Sequence, residues 1–323
     1  MNFKKDLPLT SSHWGTYRAK VKDGKVKELI GWENDKDPSP IGQGIVDVHN
    51  HQTRIDSPMI RKSWMDKGPG SNNSLRGTDP FISISWDEAE KIVSNELNRV
   101  KNDFGNASIF GGSYGWASAG RFHHAQSQLH RFLNCIGGYT RSKFTYSFAA
   151  AEAMVPHILG SYRAYLDTCT SWESIEESTE LFICFGGVPL KNGQIAQGGT
   201  GSHKQKEKLI RSANAGIKFV NFSPLKSDLL DEVNGEWLAL RPNTDVAIML
   251  GLAHTLYKEK LYDDKFIEKY TEGFDTFLPY LQGDIDGIVK DANWASSISE
   301  IPSEKIISLA KEMSSKRTMI SVS

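Results

Sequence analysis

The sequence predicts an α/β protein: a small β-rich N-terminal module, then α/β domains, the last built on a parallel sheet. Three observations carry this. Leu181–Phe185 and Ile217–Phe222 are continuous apolar runs, as expected of parallel strands buried on both faces. Asp23-Gly24 between alternating runs such as Tyr17–Val21 signals a hairpin. Ser85-Trp-Asp-Glu88 has the spacing of a capping box, with Ser85 as N-cap and Glu88 at the third helical position.

Length and composition narrow the classes. The chain has 323 residues, enough for two or more cores, and its charged fraction of 24% is ordinary for a globular protein. A net charge of −1 gives no electrostatic reason to expect nucleic acid or an anionic membrane as partner. No window has the apolar length of a membrane span, and Met1–Pro8 has neither an apolar h-region nor a twin arginine, so the expectation is no export signal. Cys135, Cys169 and Cys184 are far apart without a C-x-x-C, which argues against a cysteine-ligated zinc or iron–sulfur site and predicts three small buried thiols.

Along the chain, residues 1–53 form the β-rich module, with a turn signal at Asp37-Pro-Ser-Pro40. His49-Asn-His51 could present two imidazoles on one strand face, but with no third ligand nearby a solvated turn is the simpler reading, as for His123-His124. Residues 54–163 form an α/β domain. Phe81–Ile84 reads as a strand, and the helix after Ser85 carries Trp86, Ala89, Val93, Leu97 and Val100 on one face. A strand at 107–110 then meets Gly111-Gly112. Tyr114-Gly115-Trp116 follow, and Phe122, Ala125, Leu129, Phe132, Leu133 and Ile136 recur at helical spacing. Strand, glycine loop and helix start can bring backbone N–H groups to an anionic ligand, or can simply be a tight connection with core aromatics. Ser147 stands at the mouth of an alanine-rich helix, where helix capping is the ordinary role of a serine.

Residues 164–323 have the rhythm of strand, loop, helix, strand. The acidic cluster Glu173–Glu180 reads as a solvated face. The first buried strand ends in Gly186-Gly187 and Lys191-Asn192, the second in Ser223-Pro224. Asn243-Thr244-Asp245 caps a long helix with Val246, Met249, Leu250, Ala253, His254 and Leu256 inward. Open α/β sheets bind ligands outside the carboxyl ends of their strands, so these segments predict a nucleotide-sized site, although G-x-G-x-x-G is absent. Lys191 suits a phosphate and Asp245 the donors of a base or ribose. Taken singly, they read as a loop lysine and a helix cap.

Several segments resemble the dimethyl-sulfoxide reductase family of molybdopterin oxidoreductases, in the branch of sulfoxide, trimethylamine-N-oxide and biotin-sulfoxide reductases. They include His13-Trp-Gly15, Arg54–Met59, Arg76-Gly77, Ser85–Ala89, Phe110–Trp116, Tyr146-Ser147, Thr170-Ser-Trp172, Asn243–Leu256 and Phe274–Leu281. The Ser-Tyr-Gly-Trp segment is the one specific to this branch. The resemblance implies a bis(molybdopterin guanine dinucleotide) molybdenum cofactor without an iron–sulfur cluster, and a Rossmann-like last domain that binds the dinucleotide. It makes Ser147 the protein ligand to molybdenum, through an alkoxide oxygen suited to a high-valent metal. Tyr114 and Trp116 become hydrogen-bond donors to the metal's oxo group or the substrate oxygen, with Gly115, Ala117 and Ser118 packing beside the pterin. Lys191, Asn192, Phe222, Ser223, Asn243, Thr244 and Asp245 match positions that hold the guanosine parts.

The implied reaction is oxygen-atom transfer from an S-oxide or N-oxide, completed by two electrons and two protons with release of water. Electrons would come from an external donor, a c-type cytochrome or reductase. Tyr114 leans the substrate towards S-oxides. The resemblance implies a periplasmic enzyme; the absence of an export signal implies a cytoplasmic one. The chain departs from the family pattern at Phe148-Ala149, where threonine and glycine are usual, at Asp167–Cys169, and at Ser223, where an aspartate usually reaches the nucleotide. Family members are far longer, which predicts an N-terminal portion of such an enzyme. The competing expectations are a truncated non-catalytic piece of one and a nucleotide-binding domain of another class.

Overall fold

A computed structural model of the chain describes residues 6–49, 51–112, 124–145, 147–196 and 199–322. It divides into two compact units, residues 1–162 with 196–201 and residues 163–195 with 202–323.

The first unit opens with an antiparallel sheet of β1 (Leu9–Ser12), β2 (Gly15–Lys22) and β3 (Lys25–Gly31). Asp23 and Gly24, at φ 54° and 70°, make the left-handed turn joining β2 to β3. Tyr17 is the module's anchor. Its ring is buried, its hydroxyl donates to the Ser39 carbonyl at 2.9 Å, and a Cβ on Gly42 would collide with it. Residues 41–48, expected within the β-rich run, form helix α1 (Ile41–Val48), because Ile41, Ile45 and Val48 recur at helical rather than strand spacing. His49 caps this helix and His51 bonds to Thr53 in the following turn.

β4 (Met59–Arg61) leads into α2 (Lys62–Lys67) and pairs antiparallel with β5 (Phe81–Ser83). Ser85 Oγ accepts from the Glu88 N–H at 3.2 Å and starts α3 (Trp86–Phe104), as its spacing predicts. The apolar face of α3 stays uncovered among the described residues, with Trp86 70% and Val93 55% exposed. The strand expected at 107–110 is reduced to β6 (Phe110–Gly111), parallel to β7 (Thr140–Arg141), with α4 (Ala125–Cys135) between them in sequence. Leu133 and Tyr139 pack where a Gly111 Cβ would go, so glycine is required there. α5 (Ala149–Leu159) completes this part, and α6 (Tyr162–Asp167) lies where the two units divide.

The second unit begins with α7 (Trp172–Ser178), capped by Ser171. Its sheet is parallel throughout, in the order β10 (Glu236–Leu238), β9 (Lys218–Phe222), β8 (Leu181–Phe185), β11 (Thr318–Val322). Between these strands run α8 (Leu190–Gly193), α9 (Gln205–Asn214), α10 (Asp245–Lys258), α11 (Asp264–Tyr270), α12 (Phe274–Gln282), α13 (Ala292–Ser299) and α14 (Ser303–Ser315). β8 is buried along its whole length because both faces are covered. Leu181, Ile183 and Phe185 join Val220, Phe222 and residues of α10, α13 and α14. Phe182 and Cys184 face Phe219, Ile175 of α7 and Leu209 of α9.

Two expectations are corrected here, the second in part. Cys135 and Cys169 are exposed, and only Cys184 is a buried thiol. The inward face of α10 is only partly the expected one: His254 is buried and Met249 and Leu256 pack on the core, but Val246 does not. Ala247, Ile248, Gly251 and Leu252 are buried while Val246 is 66% exposed. Gly251 sets that face, since its Cβ would press on Ala295 of α13, so the helices approach along it. The acidic cluster is the solvated face expected, with Glu173, Glu177 and Glu180 exposed, and it also carries ion pairs: Glu173 with Lys208, Glu176 with Arg211, and Glu180 with Arg317 at 3.5 Å.

Candidate functional site

In the second unit, the carboxyl ends of β8 and β9 are built into one another. Phe185 and Phe222 are register partners whose rings stack at 5.0 Å, and the Gly186 N–H donates to the Phe222 carbonyl at 2.8 Å. The chain leaves β8 through Gly186 and Gly187, at φ 91° and 77°, a left-handed pair that only glycine adopts without strain. A Cβ on Gly187 would strike the Asp228 carbonyl, which accepts from the Val188 N–H at 2.8 Å. The loop after β8 is thereby latched to the loop after β9.

That latch sets a polar cluster. Ser223 is fully buried. Its hydroxyl donates to Asp228 Oδ2 at 2.6 Å and accepts from the Leu225 N–H at 3.1 Å, while its carbonyl takes the Trp237 indole N–H at 2.8 Å. Lys191 Nζ reaches the other carboxyl oxygen of Asp228 at 3.3 Å; the lysine is exposed and the aspartate nearly covered. Phe222 is core, so only its backbone belongs to the strand end. Asn192 is exposed beside Lys191. Asn243 is left-handed at φ 66°, Thr244 is the cap residue of α10 and bonds to the Arg241 carbonyl at 2.6 Å, and Asp245 is half-buried in the first turn. These three follow β10, whose end bonds back to Ser223 through the Leu238 carbonyl, so they leave from the same side of the sheet.

In the first unit, Ser147 is exposed one residue ahead of Phe148, the cap residue of α5. It is therefore not the cap that its position first suggests. The turn is held instead by Thr145, whose Oγ1 accepts from the Phe148 N–H at 3.5 Å and whose N–H donates to Glu152 Oε2 at 3.2 Å. Phe144 sits at φ 65°, a left-handed conformation that costs a bulky residue strain and recurs at functional turns. The Phe148 ring stacks on Tyr162 at 5.7 Å. Tyr114, Gly115, Trp116, Ala117 and Ser118 lie outside the described residues. Among the described residues, no cluster of histidine, cysteine and carboxylate side chains forms a metal site, and no helix is long and apolar enough to cross a membrane.

Sequence reasoning passed over Asp228. The signal for it was indirect: a serine where the resembled family has an aspartate, with an acidic residue five positions on.

A parallel sheet covered by helices, with a glycine turn, a cation and a carboxylate at its strand ends, defines an α/β protein with a candidate ligand site outside those ends. The comparisons narrow this. The model of the molybdopterin oxidoreductase family matches residues 54–322, and that of the molybdopterin oxidoreductase N-terminal domain matches residues 10–48. The dimethyl sulfoxide/trimethylamine N-oxide reductase of Rhodobacter capsulatus is 39% identical over 97% of this chain and 38% of its own length. The biotin sulfoxide reductase of Cereibacter sphaeroides is 40% identical over 90% of this chain and 39% of its own. The trimethylamine-N-oxide reductase of Haemophilus influenzae is 37% identical over 97% and 38%. Among solved structures, acetylene hydratase from Pelobacter acetylenicus superposes with a TM-score of 0.58 at 19% identity, over 97% of this chain and 40% of that one, which supports the fold.

The chain belongs to the molybdopterin oxidoreductase family, and it spans under two fifths of the length of the first two of these relatives' kind, 38% for the reductase of R. capsulatus. Membership implies a molybdenum–molybdopterin cofactor. The donors present suit one with a nucleotide tail: an ammonium for a diphosphate, carboxylates for ribose or base donors, and an exposed hydroxyl held outside its helix for the metal.

Proposed function

We propose that this chain is the part of a molybdenum-dependent S-oxide or N-oxide reductase that supplies the metal's serine ligand, the substrate-facing aromatics and one nucleotide site. The observation that carries this reading is the polar cluster at the ends of β8 and β9, where Lys191 and Asp228 meet beside a glycine turn. A Rossmann-like role for residues 164–323 follows from it, with residues 54–163 holding the metal and substrate residues and 1–53 the entry module.

When bound, bis(molybdopterin guanine dinucleotide) molybdenum supplies the two-electron centre for oxygen-atom transfer. The protein's share is to bind and orient. Ser147 offers its oxygen to the metal from a turn pinned by Thr145 and Glu152. Tyr114 and Trp116 donate hydrogen bonds to the substrate oxygen, where negative charge grows as its bond to sulfur or nitrogen breaks. Lys191 neutralises a phosphate, and Asn192, Asn243, Thr244 and Asp245 line the nucleotide with the backbone of Phe222 and Ser223. The net reaction consumes the oxide, two electrons and two protons and yields the sulfide or amine and water. The electrons come from an external c-type cytochrome or reductase.

The test is metal and pterin analysis of protein made with cofactor supply, alongside reduced methyl viologen oxidation by dimethyl sulfoxide. Molybdenum and pterin should co-purify, and Ser147→Ala should abolish turnover while pterin is retained. Protein devoid of both, or full activity in the variant, refutes the reading.

A further inference from the structure

We propose that Phe144 and Phe148, on either side of Ser147, form an aromatic subsite that selects S-oxides carrying an aryl group over dimethyl sulfoxide. This rests on Ser147 standing at the reacting centre, as read above, and names the substituent that the site takes.

Two unfavourable features meet at Phe144 that the fold does not explain. Its backbone is left-handed at φ 65°, where a bulky side chain is strained and glycine or asparagine sits more easily. Its ring is 49% exposed, so burial offsets little of that strain. Phe148, one residue after Ser147, is likewise 44% exposed. Strain held beside open apolar surface is characteristic of a ligand site rather than of a folding core.

Both rings are held rather than free. Phe148 stacks on Tyr162, the first residue of α6, with centroids 5.7 Å apart and planes 29° from parallel. That contact fixes the ring and leaves the rest of it open. The Lys143 ammonium lies 5.1 Å from the centre of the Phe144 ring, a cation–π contact that steadies it. Thr145 closes the turn, accepting from the Phe148 N–H and donating its own N–H to Glu152. Ser147 is exposed on the same turn, so its hydroxyl and both rings are presented together.

An aryl S-oxide carries its ring one bond from the sulfur. With its oxygen at the Ser147 side, the ring meets the phenylalanines, where offset or edge contacts add to the apolar area it buries. Dimethyl sulfoxide has only a methyl group to place there. Phe144 and Phe148 are thus specificity-determining residues, touching the substituent and not the bond that breaks.

The test uses the full 323-residue chain, made with cofactor supply, and two probes, methyl phenyl sulfoxide and dimethyl sulfoxide. Affinity is read by saturation-transfer NMR titration, and turnover with reduced methyl viologen is measured on the same samples. Wild type should bind the aryl probe about tenfold more tightly, the scale of a half-buried phenyl ring. Phe148→Ala should weaken the aryl probe about fivefold in affinity and in kcat/KM, removing most of the preference, and Phe148→Tyr should restore it. Phe144→Asn should lower the preference several-fold while keeping or raising the urea midpoint, since asparagine accepts the left-handed backbone. A merely structural phenylalanine would lose stability and keep the preference. Far-UV circular dichroism checks that each variant folds, and the wild-type comparison of probes needs no variant. Equal wild-type affinity for the two probes, or the same preference in wild type, Phe148→Ala and Phe144→Asn, overturns the subsite and leaves the reductase reading standing. Protein without molybdenum and pterin, or full turnover by Ser147→Ala, overturns that reading and the subsite with it.

Discussion

Strand β8 and helix α3 carry equally clear apolar patterns and end in opposite environments. Every residue of β8 is 3% exposed or less, while α3 buries none of its residues and leaves Trp86 70% exposed. The second unit closes two layers around its sheet, each with its own aromatic and aliphatic partners. Among the described residues the first unit buries Tyr17, Ala19, Ile109 and Leu133 and little other apolar surface. The difference separates two things that a pattern encodes together. Periodicity decides which face is apolar, since it is a property of the local chain. Burial needs a partner surface, and for β8 that partner is supplied in part by a strand 137 residues away, as in the Leu181–Thr318 register pair.

Mutations measure that contrast. The largest effect is expected from Ile183→Ala in β8, a fully buried side chain whose loss should cost about 2–4 kcal/mol by urea denaturation. The matched change Val93→Ala in α3 should stay within about 0.5 kcal/mol. Similar costs at the two sites would break the comparison.

Next comes Lys290, a buried cation that donates to both oxygens of Asp286, at 2.9 and 2.7 Å, and to the Ile288 carbonyl, with the Tyr280 ring 4.4 Å away. Lys290→Met should cost about 1–2 kcal/mol through the lost charged hydrogen bonds. Lys290 first, and then the Ile288 N–H, hold the Asp286 carboxyl below the usual carboxylate range. Its contribution is present above about pH 4 and is lost as pH falls through the lower folded value, so the wild type should lose more stability in acid than the variant.

A smaller effect belongs to His254, buried on α10. Burial pushes its pKa down, Lys258 adds to this, and Asp291 opposes it. A depressed histidine stabilises the fold when neutral. Stability should therefore fall as pH drops from about 6.5 towards the folded value, and His254→Asn should flatten that slope in urea midpoints measured at pH 7 and 5.5.

The finest probe changes no stability at all. Cys135 and Cys169 should react with a disulfide reagent in the native protein, whereas Cys184, pushed up to about 12 by burial, should react only on unfolding. Three fast thiols would mean that the second core is open.

Much of the fold was legible because it is local. The turn at Asp23-Gly24, the Ser85 cap and the two buried strands each follow from a few adjacent residues. The inward face of α10 was legible in part, at His254, Met249 and Leu256; the burial of Ala247, Ile248 and Gly251 was not, because it depends on how closely Ala295 approaches Gly251. Nor was the exposure of Cys135 and Cys169, which depends on what the rest of the chain covers. The site divides the same way. Lys191 and the glycine turn stood out as strand-end features. Asp228 did not, since its link to Lys191 spans 37 positions and exists only once β8 and β9 are paired. Ser223 was legible as a departure from a family pattern, but its burial, and hence its role as a support, belongs to the sheet.

Hydrogen exchange read by mass spectrometry, with and without GDP, tests the central claim that the second unit is a self-packed body carrying a nucleotide site at its strand ends. Amides of β8 and β9 should exchange slowest and α3 markedly faster. GDP should add protection to peptides covering 186–192 and 223–229 and leave α3 unchanged. Protection of α3 equal to that of β8, or a GDP footprint that misses those two loops, would contradict the account.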